Sequence, residues 1–323
     1  MMYFHDISKF ENKRVLIVGD IILDEFIETS SNRNSPEYKN IPILNVHEKK
    51  QYLGGAANVA LNLKKLHAIP YLVGCLGLDT AAEFINNLLE KEAISNTFIY
   101  QSKEIKTTIK QRVFKNKLPI IRLDDEQKSA YSILTHQFII AHFIDAIRQH
   151  KPHIIILQDY NKGVLNSQTI PELITIAQKN SIPICVDPKY DNWQLYQNVD
   201  LFKPNEIEFA FISGSENKSE MQLKENAKTL EQKITFKNLL VTLGAEGNYI
   251  YNKEISKVVH LTTKLQLADV CGAGDTVIAV ASLGMACGFS LEQIAELANN
   301  AGFIVCQKED VQPVLFAELA HSS

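Results

Sequence analysis

The segment Asp269-Val-Cys-Gly-Ala-Gly-Asp-Thr276 places a Gly-Ala-Gly turn directly before Val277-Ile-Ala-Val-Ala-Ser-Leu283, an apolar run that reads as a helix. A turn of this kind at a helix start leaves first-turn N–H groups without helical partners. Together with the positive end of the helix dipole they form an anion site. Gly272 and Gly274, with Ala273 between them, let an anion come close to the backbone. Asp275 sets a carboxylate beside that site, which is repulsive unless the carboxylate has another task. Taking the proton from an attacking hydroxyl is such a task, so the combination points to phosphoryl transfer to an alcohol. The structural alternative is an Asp N-cap following a glycine turn.

Four further motifs carry chemistry-bearing side chains. In Gly19-Asp-Ile-Ile-Leu-Asp24, Asp20 and Asp24 could each take a pair of hydroxyls, or be solvated turn carboxylates. In Gly54-Gly-Ala-Ala-Asn-Val-Ala60, Gly54 and Gly55 allow close backbone approach and Asn58 can donate or accept; a plain helix entry is the alternative. Gln158-Asp-Tyr-Asn-Lys-Gly163 follows a very apolar run. In Lys203-Pro-Asn-Glu-Ile-Glu208, Asn205 and Glu208 stand three apart on one helical turn. That pair suits a water-mediated Mg²⁺ contact, and equally a helix cap. Lys110, Arg112, Arg122, Lys162 and Lys189 are the cations available for a substrate phosphate, Arg having the better fork geometry; each also reads as a surface charge.

The elements that must position these residues alternate. Short apolar runs at Arg14–Gly19, Pro70–Gly74, His153–Leu157, Ile182–Val186, Leu201–Phe202 and Asn238–Thr242 read as strands covered on both faces. Between them lie helical patterns over Ala56–Leu66, Thr80–Glu92, His136–Gln149, Ser167–Gln178, Glu206–Ile212 and Lys218–Ile234. This rhythm predicts an α/β sandwich, in which ligands bind at the carboxyl ends of the strands. Asn40–Tyr52 and Thr97–Leu123 break the rhythm with polar–apolar alternation. We read them as paired strands of a small β-sheet lid, the alternative being an edge extension of the main sheet.

Composition narrows the class. The 323 residues suit one large domain, and a 46% hydrophobic fraction is ample for its core. A formal net charge of −4 implies no nucleic-acid surface. Cys75, Cys185, Cys271, Cys287 and Cys306 are scattered, which favours free thiols in a reducing compartment over disulfides or zinc. No signal peptide and no run of roughly 18 apolar residues is seen, so a cytoplasmic protein without membrane attachment is expected.

In this order the motifs resemble the ribokinase-like carbohydrate kinase family, from about Arg14 to about Ile304. The double-glycine motif near the start and the Gly-Ala-Gly-Asp motif near the end are its two signatures. The resemblance implies a three-layer α/β/α sandwich with a small β-sheet lid. It also implies an ATP-dependent sugar kinase with Asp275 as base and Gly272, Ala273 and Gly274 as anion hole. Asn205 and Glu208 would help to hold Mg²⁺; Thr242, Gly244 and Gly247 would bind nucleotide; Asp269 would border a monovalent-cation site, such as one for K⁺. Asp20, Gly54, Gly55 and Asn58 match sugar-binding positions. Finer features resemble one branch, kinases of D-glycero-D-manno-heptose 7-phosphate: Arg33-Asn-Ser-Pro-Glu37, Ile121-Arg-Leu-Asp124, Asp159-Tyr-Asn-Lys-Gly163 and Asp187-Pro-Lys189. That branch phosphorylates O1, giving the 1,7-bisphosphate on the route to ADP-heptose for lipopolysaccharide. It draws Asp159, Lys162 and Lys189 into the substrate-binding set.

The chain departs from the pattern at Cys271, where Thr is usual, and at Gln158, where Ser is usual. It also lacks a Lys-x-Gly-Thr run in Gly302–Val311, which bears on the adenine and cation contacts. Many relatives carry a fused nucleotidyltransferase domain, and Ser323 leaves no room for one, so a separate protein is expected to supply adenylyl transfer. Lid-to-lid pairing would give a homodimer. Two other readings stand beside the heptose kinase. One is a kinase of another sugar phosphate, such as fructose 1-phosphate or tagatose 6-phosphate. The other is a non-catalytic sugar- or nucleotide-binding regulator, against which retention of Asp275 argues.

Overall fold

A computed structural model describes residues 6–31, 33–127, 131–216, 219–261 and 270–322. The first part of the chain carries β1 (Arg14–Gly19), β2 (Ile21–Ser30), β3 (Asn45–Gly55), α1 (Ala56–Lys65), β4 (Ile69–Gly77), α2 (Thr80–Lys91), β5 (Ile99–Ser102), β6 (Thr108–Lys115), β7 (Leu118–Asp125) and α3 (Ile133–His150). Next come β8 (Ile154–Gln158), α4 (Thr169–Lys179), β9 (Ile184–Asp187), β10 (Val199–Phe202), α5 (Glu206–Ser213), α6 (Glu220–Glu231), β11 (Phe236–Thr242), β12 (Asn248–Tyr251) and β13 (Ser256–Val259). The chain then runs through α7 (Ala273–Ala286), α8 (Leu291–Cys306) and α9 (Phe316–Ser322).

Nine strands form the main sheet in the order β13-β12-β11-β10-β9-β8-β1-β4-β5. β11 through β5 are parallel, and β12 and β13 are added antiparallel at one edge. Alternation along β1 shows the layering. Val15 and Ile17 pack with α1, α2, α7 and α8 on one face, whereas Leu16 and Val18 pack with α3, α4, α5 and α6 on the other. The result is an α/β/α sandwich. Strand order reverses at β1, which leads to β4 on one side and lies beside β8 on the other. That switch point opens a crevice at the strands' carboxyl ends.

The second sheet has four strands in the order β3-β2-β6-β7. It differs from the sequence expectation in two ways. Ile99–Ser102 of the second alternating segment pairs with β4 in the main sheet. The remaining strands do not pair with β3 either, because β2 lies between β3 and β6. β2 escaped the sequence reading because Ile21–Phe26 continues the apolar run of β1 with no turn signal. Asp20 is the single residue joining a strand of one sheet to a strand of the other. The start of the helix expected at Lys218 lies outside the described residues; α6 begins at Glu220 behind an N-cap on Ser219.

Gly55 ends β3 and caps α1 with φ +57°, and a side-chain carbon there would stand 2.4 Å from the Asp20 carbonyl oxygen. Both the left-handed backbone and the contact require glycine. We expect Gly55→Ala to lose roughly 2–4 kcal/mol of unfolding free energy in urea titration. A loss within experimental error would show that the β3–α1 junction relaxes freely.

Candidate functional site

Gly272, in the left-handed conformation, is the N-cap of α7 and offers no side-chain cap. The Val270 carbonyl takes the Ala273 N–H (3.3 Å) and the Gly272 carbonyl takes that of Thr276 (3.0 Å). The N–H groups of Gly274 and Asp275 lie between them, in a first turn that has no helical acceptors. Asp275 does not cap this helix. Its carboxylate is buried and held by other elements: Asn58 of α1 donates to Oδ2 (2.8 Å), while Gln158 of β8 (3.0 Å) and the Tyr160 hydroxyl (2.8 Å) donate to Oδ1. Burial raises the Asp275 pKa to about 7; the Asn58 and Tyr160 hydrogen bonds restrain the rise, and the charges of Asp187 and Asp24 add to it. A carboxylate so poised is ionised in good part near neutrality and can accept a proton there.

A buried ion pair lies next to the helix start. Lys203 Nζ is 3.0 Å from Asp187 Oδ1, and Lys203 is only 1% exposed. Both groups would stand 3.9 Å from a side-chain carbon on Gly274. Sequence reasoning quoted the motifs that hold Lys203, Asp187 and Tyr160 without assigning these side chains a place. The available signal was a lysine directly after the apolar pair Leu201–Phe202 that ends β10.

These residues border a cleft of about 440 Å³, shared with Asp24, Gly55, Lys110, Arg112, Lys189, Asn205, Thr242 and Gly244. On its far side Arg112 binds Asp24 (2.5 Å) and lies over the Phe26 ring (5.2 Å). Lys110, two residues away on the same face of β6, stands 4.4 Å from the Tyr160 ring centroid. Burial lowers the Lys110 pKa, against the pull of Asp24. Gly54 lies beneath: a side-chain carbon there would be 2.1 Å from Asp24 Oδ2.

Other predicted site residues have partners within the protein, and Asp159 and Asn205 among them border the cleft. Asp20 accepts the backbone N–H groups of Tyr160 (2.9 Å), Lys162 (3.0 Å) and Val164 (3.1 Å), so its carboxylate shapes the 160–164 loop. Asp159 accepts from the Asn161 N–H, from Asn192 and from the Tyr196 hydroxyl. Lys162 pairs with Glu126 (2.5 Å). Arg122 stands opposite Arg112 in the β6–β7 register, but its guanidinium is bidentate on Asp124 and 62% exposed. Asn205 and Glu208 form a capping box at the start of α5. The second Glu208 oxygen pairs with Lys189. Among the described residues no group of three or more His, Cys, Asp or Glu side chains is placed to hold a metal ion. Asp269 lies outside the described residues.

Thr242, Gly244 and Gly274 also border a smaller, mostly apolar pocket of about 190 Å³, completed by Gly247, Leu261, Val277, Gly302, Phe303 and Cys306. The divergent segment therefore contributes α8 side chains to this pocket. A flat apolar group seated here would direct a polar tail to the start of α7.

Replacing Asp20 by Ala would strand three backbone N–H groups, each costing ~1–3 kcal/mol when left buried and unpartnered. We expect Asp20→Ala to lose roughly 3 kcal/mol or more in urea unfolding. Wild-type stability with only a raised sugar KM would instead make Asp20 a sugar ligand.

A sequence model of the pfkB family carbohydrate kinases matches residues 12–316. The bifunctional protein HldE of Hydrogenovibrio crunogenus is 33% identical over 98% of this chain and 64% of its own length. That of Histophilus somni is 34% identical, with the same coverage of both chains. The chain thus spans just under two thirds of the curated relatives it matches. Among solved structures, Escherichia coli phosphofructokinase-2 in complex with potassium superposes with a TM-score of 0.78 at 18% identity, covering 96% of this chain and 97% of the other. Arabidopsis thaliana ribokinase complexed with ribose and ATP gives 0.75 at 17% identity, covering 97% and 98%. The sandwich is therefore the ribokinase-like fold, and the chain belongs to the pfkB family of carbohydrate kinases, ATP-dependent phosphotransferases acting on sugars.

Proposed function

We propose that this kinase phosphorylates D-glycero-D-manno-heptose 7-phosphate at O1, giving the 1,7-bisphosphate. The observation that carries the reaction is the Asp275 carboxylate. It is buried with three donors and stands two residues inside the start of a helix whose N-cap offers no side chain. The heptose assignment is supported by the branch motifs and by the HldE relatives. Lys110 and Arg112 supply cationic charge for a phosphate remote from the reacting hydroxyl.

ATP places its adenine in the apolar pocket bordered by Val277 and Phe303 and its γ-phosphate at Gly272–Gly274. Asp275 takes the proton of the O1 hydroxyl as O1 bonds to the γ-phosphorus. The bond from that phosphorus to the bridging oxygen breaks, and ADP leaves with the electron pair. The first-turn N–H groups of α7 and the Lys203 ammonium stabilise the negative charge that shifts during transfer. Asn205 and Glu208 hold the start of α5 and Glu208 fixes Lys189; the pair would meet a nucleotide-bound Mg²⁺ through its water shell, which would offset phosphate charge. The second sheet acts as the lid that excludes water. A homodimer would pack through β7, which is exposed along its whole length.

An ADP-release assay across heptose 7-phosphate, fructose 1-phosphate, tagatose 6-phosphate and the free sugars tests the assignment. Heptose 7-phosphate should turn over best. Its dephosphorylated form should fall in kcat/KM by roughly tenfold to a hundredfold, the loss of a charge-assisted hydrogen bond worth ~1.5–3 kcal/mol. Equal values for the two would sink the phosphate-binding role of Lys110 and Arg112.

Asp275→Asn should retain ATP binding and lose ~10²–10⁴ in kcat. Since burial raises the Asp275 pKa to about 7, the proton-accepting form is lost as pH falls through that value. Wild-type kcat/KM for the sugar should therefore rise between about pH 6 and about pH 8 and then level off. A flat profile across this window would remove Asp275 as the base.

A further inference from the structure

Tyr160 touches both the Asp275 carboxylate and the cations of the cleft. Asp20 accepts its backbone N–H (2.9 Å), which fixes the loop, and its hydroxyl donates to Asp275 Oδ1 (2.8 Å). Burial and the charges of Asp275 and Asp187 keep that phenol protonated, so it stays a donor. The ring meets two ammonium groups: Lys110 Nζ stands 4.4 Å and Lys189 Nζ 5.6 Å from its centroid. Tyr160, Asp275, Lys110 and Lys189 all border the cleft.

The other cations there each face a carboxylate: Arg112 meets Asp24, Lys189 meets Glu208 and Lys203 meets Asp187. Lys110 is different. Among the described residues its half-buried ammonium makes no ion pair and no hydrogen bond, and it rests on the Tyr160 ring. A carboxylate partner would occupy ammonium N–H groups and compete with an anionic ligand. A ring face attracts the charge through its quadrupole and leaves all three N–H groups to donate. An ammonium held in that way is suited to phosphate oxygens.

We propose that Tyr160 is a positioning residue with two separable tasks: its hydroxyl aims the Asp275 carboxylate, and its ring presents the Lys110 ammonium to the phosphate of the sugar substrate. This role rests on the kinase reading above, and it holds for whichever sugar phosphate the chain uses. One side chain then sets the distance between the phosphate seat and the carboxylate that meets the reacting hydroxyl. The charged or titratable groups around Asp275 are Asp24 of β2, Lys110 and Arg112 of β6, Tyr160, Asp187 of β9, Lys189 beyond it and Lys203 after β10. α1 and β8 bring the neutral amides of Asn58 and Gln158.

The test uses the purified chain, ATP, the sugar phosphate that wild type turns over best, and the dephosphorylated form of that sugar. Tyr160→Phe keeps the ring and loses the hydroxyl. One donor to the ionised Asp275 is gone, so the acid limb of kcat/KM should move to higher pH. The preference for phosphorylated over free sugar should stay within about twofold of wild type. Tyr160→Leu loses ring and hydroxyl together. Its acid limb should move the same way, and its phosphate preference should also fall about fivefold to tenfold, through the KM of the sugar phosphate. The ATP KM should stay within about twofold in both variants. An acid limb at the wild-type position in Tyr160→Phe, or a phosphate preference lost in that variant, overturns the proposal, and these two readings decide it if Tyr160→Leu folds poorly. Full phosphate preference in a folded Tyr160→Leu also overturns it, as does a rise in ATP KM larger than the rise for the sugar phosphate. Equal use of free and phosphorylated sugar by wild type overturns the phosphate seat proposed above, and the ring's task with it.

Discussion

A carboxylate that must take a proton near neutrality has to be dry enough to lose its preference for the charged form and yet held firmly enough to be tolerated in that form. Asp275 meets both demands through burial and three donors drawn from separate parts of the chain: Asn58 in α1, Gln158 at the end of β8, and Tyr160 in the loop that follows. Much of the architecture follows from assembling those donors. α1 packs beside α7 in one helical layer, which brings Asn58 under the helix start. Asn62, one turn further along α1, donates to Asn58 Oδ1 (3.3 Å) and accepts from Thr276 (3.0 Å), so the amide that serves Asp275 is itself fixed. β8 lies next to β1 at the point where strand order reverses, which brings Gln158 to the same spot.

Positive charge stands at both ends of the cleft. At one end the α7 start and Lys203 face the region where the two pockets meet. At the other, Lys110 and Arg112 share one face of β6, and Asp24 keeps Arg112 from projecting freely into solvent. Each cation is paired or stacked, which limits the cost of burying it. Lys203 is the extreme case, since without Asp187 its ammonium would be a lone charge inside the protein.

How much of this was legible in the sequence depended on whether the deciding signal was local. The parallel strands announced themselves by apolar runs such as Ile154–Leu157, and α7 by its glycine turn. β2 was hidden because a strand that begins one residue after another ends leaves no punctuation. Asp20 and Asp24 looked alike in sequence, yet one is saturated by backbone N–H groups and the other faces an arginine. Only the loop that returns from residue 160 separates them. Asn205 and Glu208 fitted two readings at the same spacing, and their local hydrogen bonds form the cap. Arg112 and Arg122 differ in their distance from the cleft, a property of strand order rather than of residue type.

The lone residue between β1 and β2 has a mechanical consequence. A trans-linked residue spans only about 3.8 Å, so the two sheets share a pivot with almost no slack. That pivot is Asp20, and its carboxylate grips the backbone at Tyr160, Lys162 and Val164. Any tilt of the four-stranded sheet about this point is passed on as a pull on the loop that carries the Tyr160 hydroxyl. The sheet, the pivot and the loop form a short lever whose far end rests on the Asp275 carboxylate.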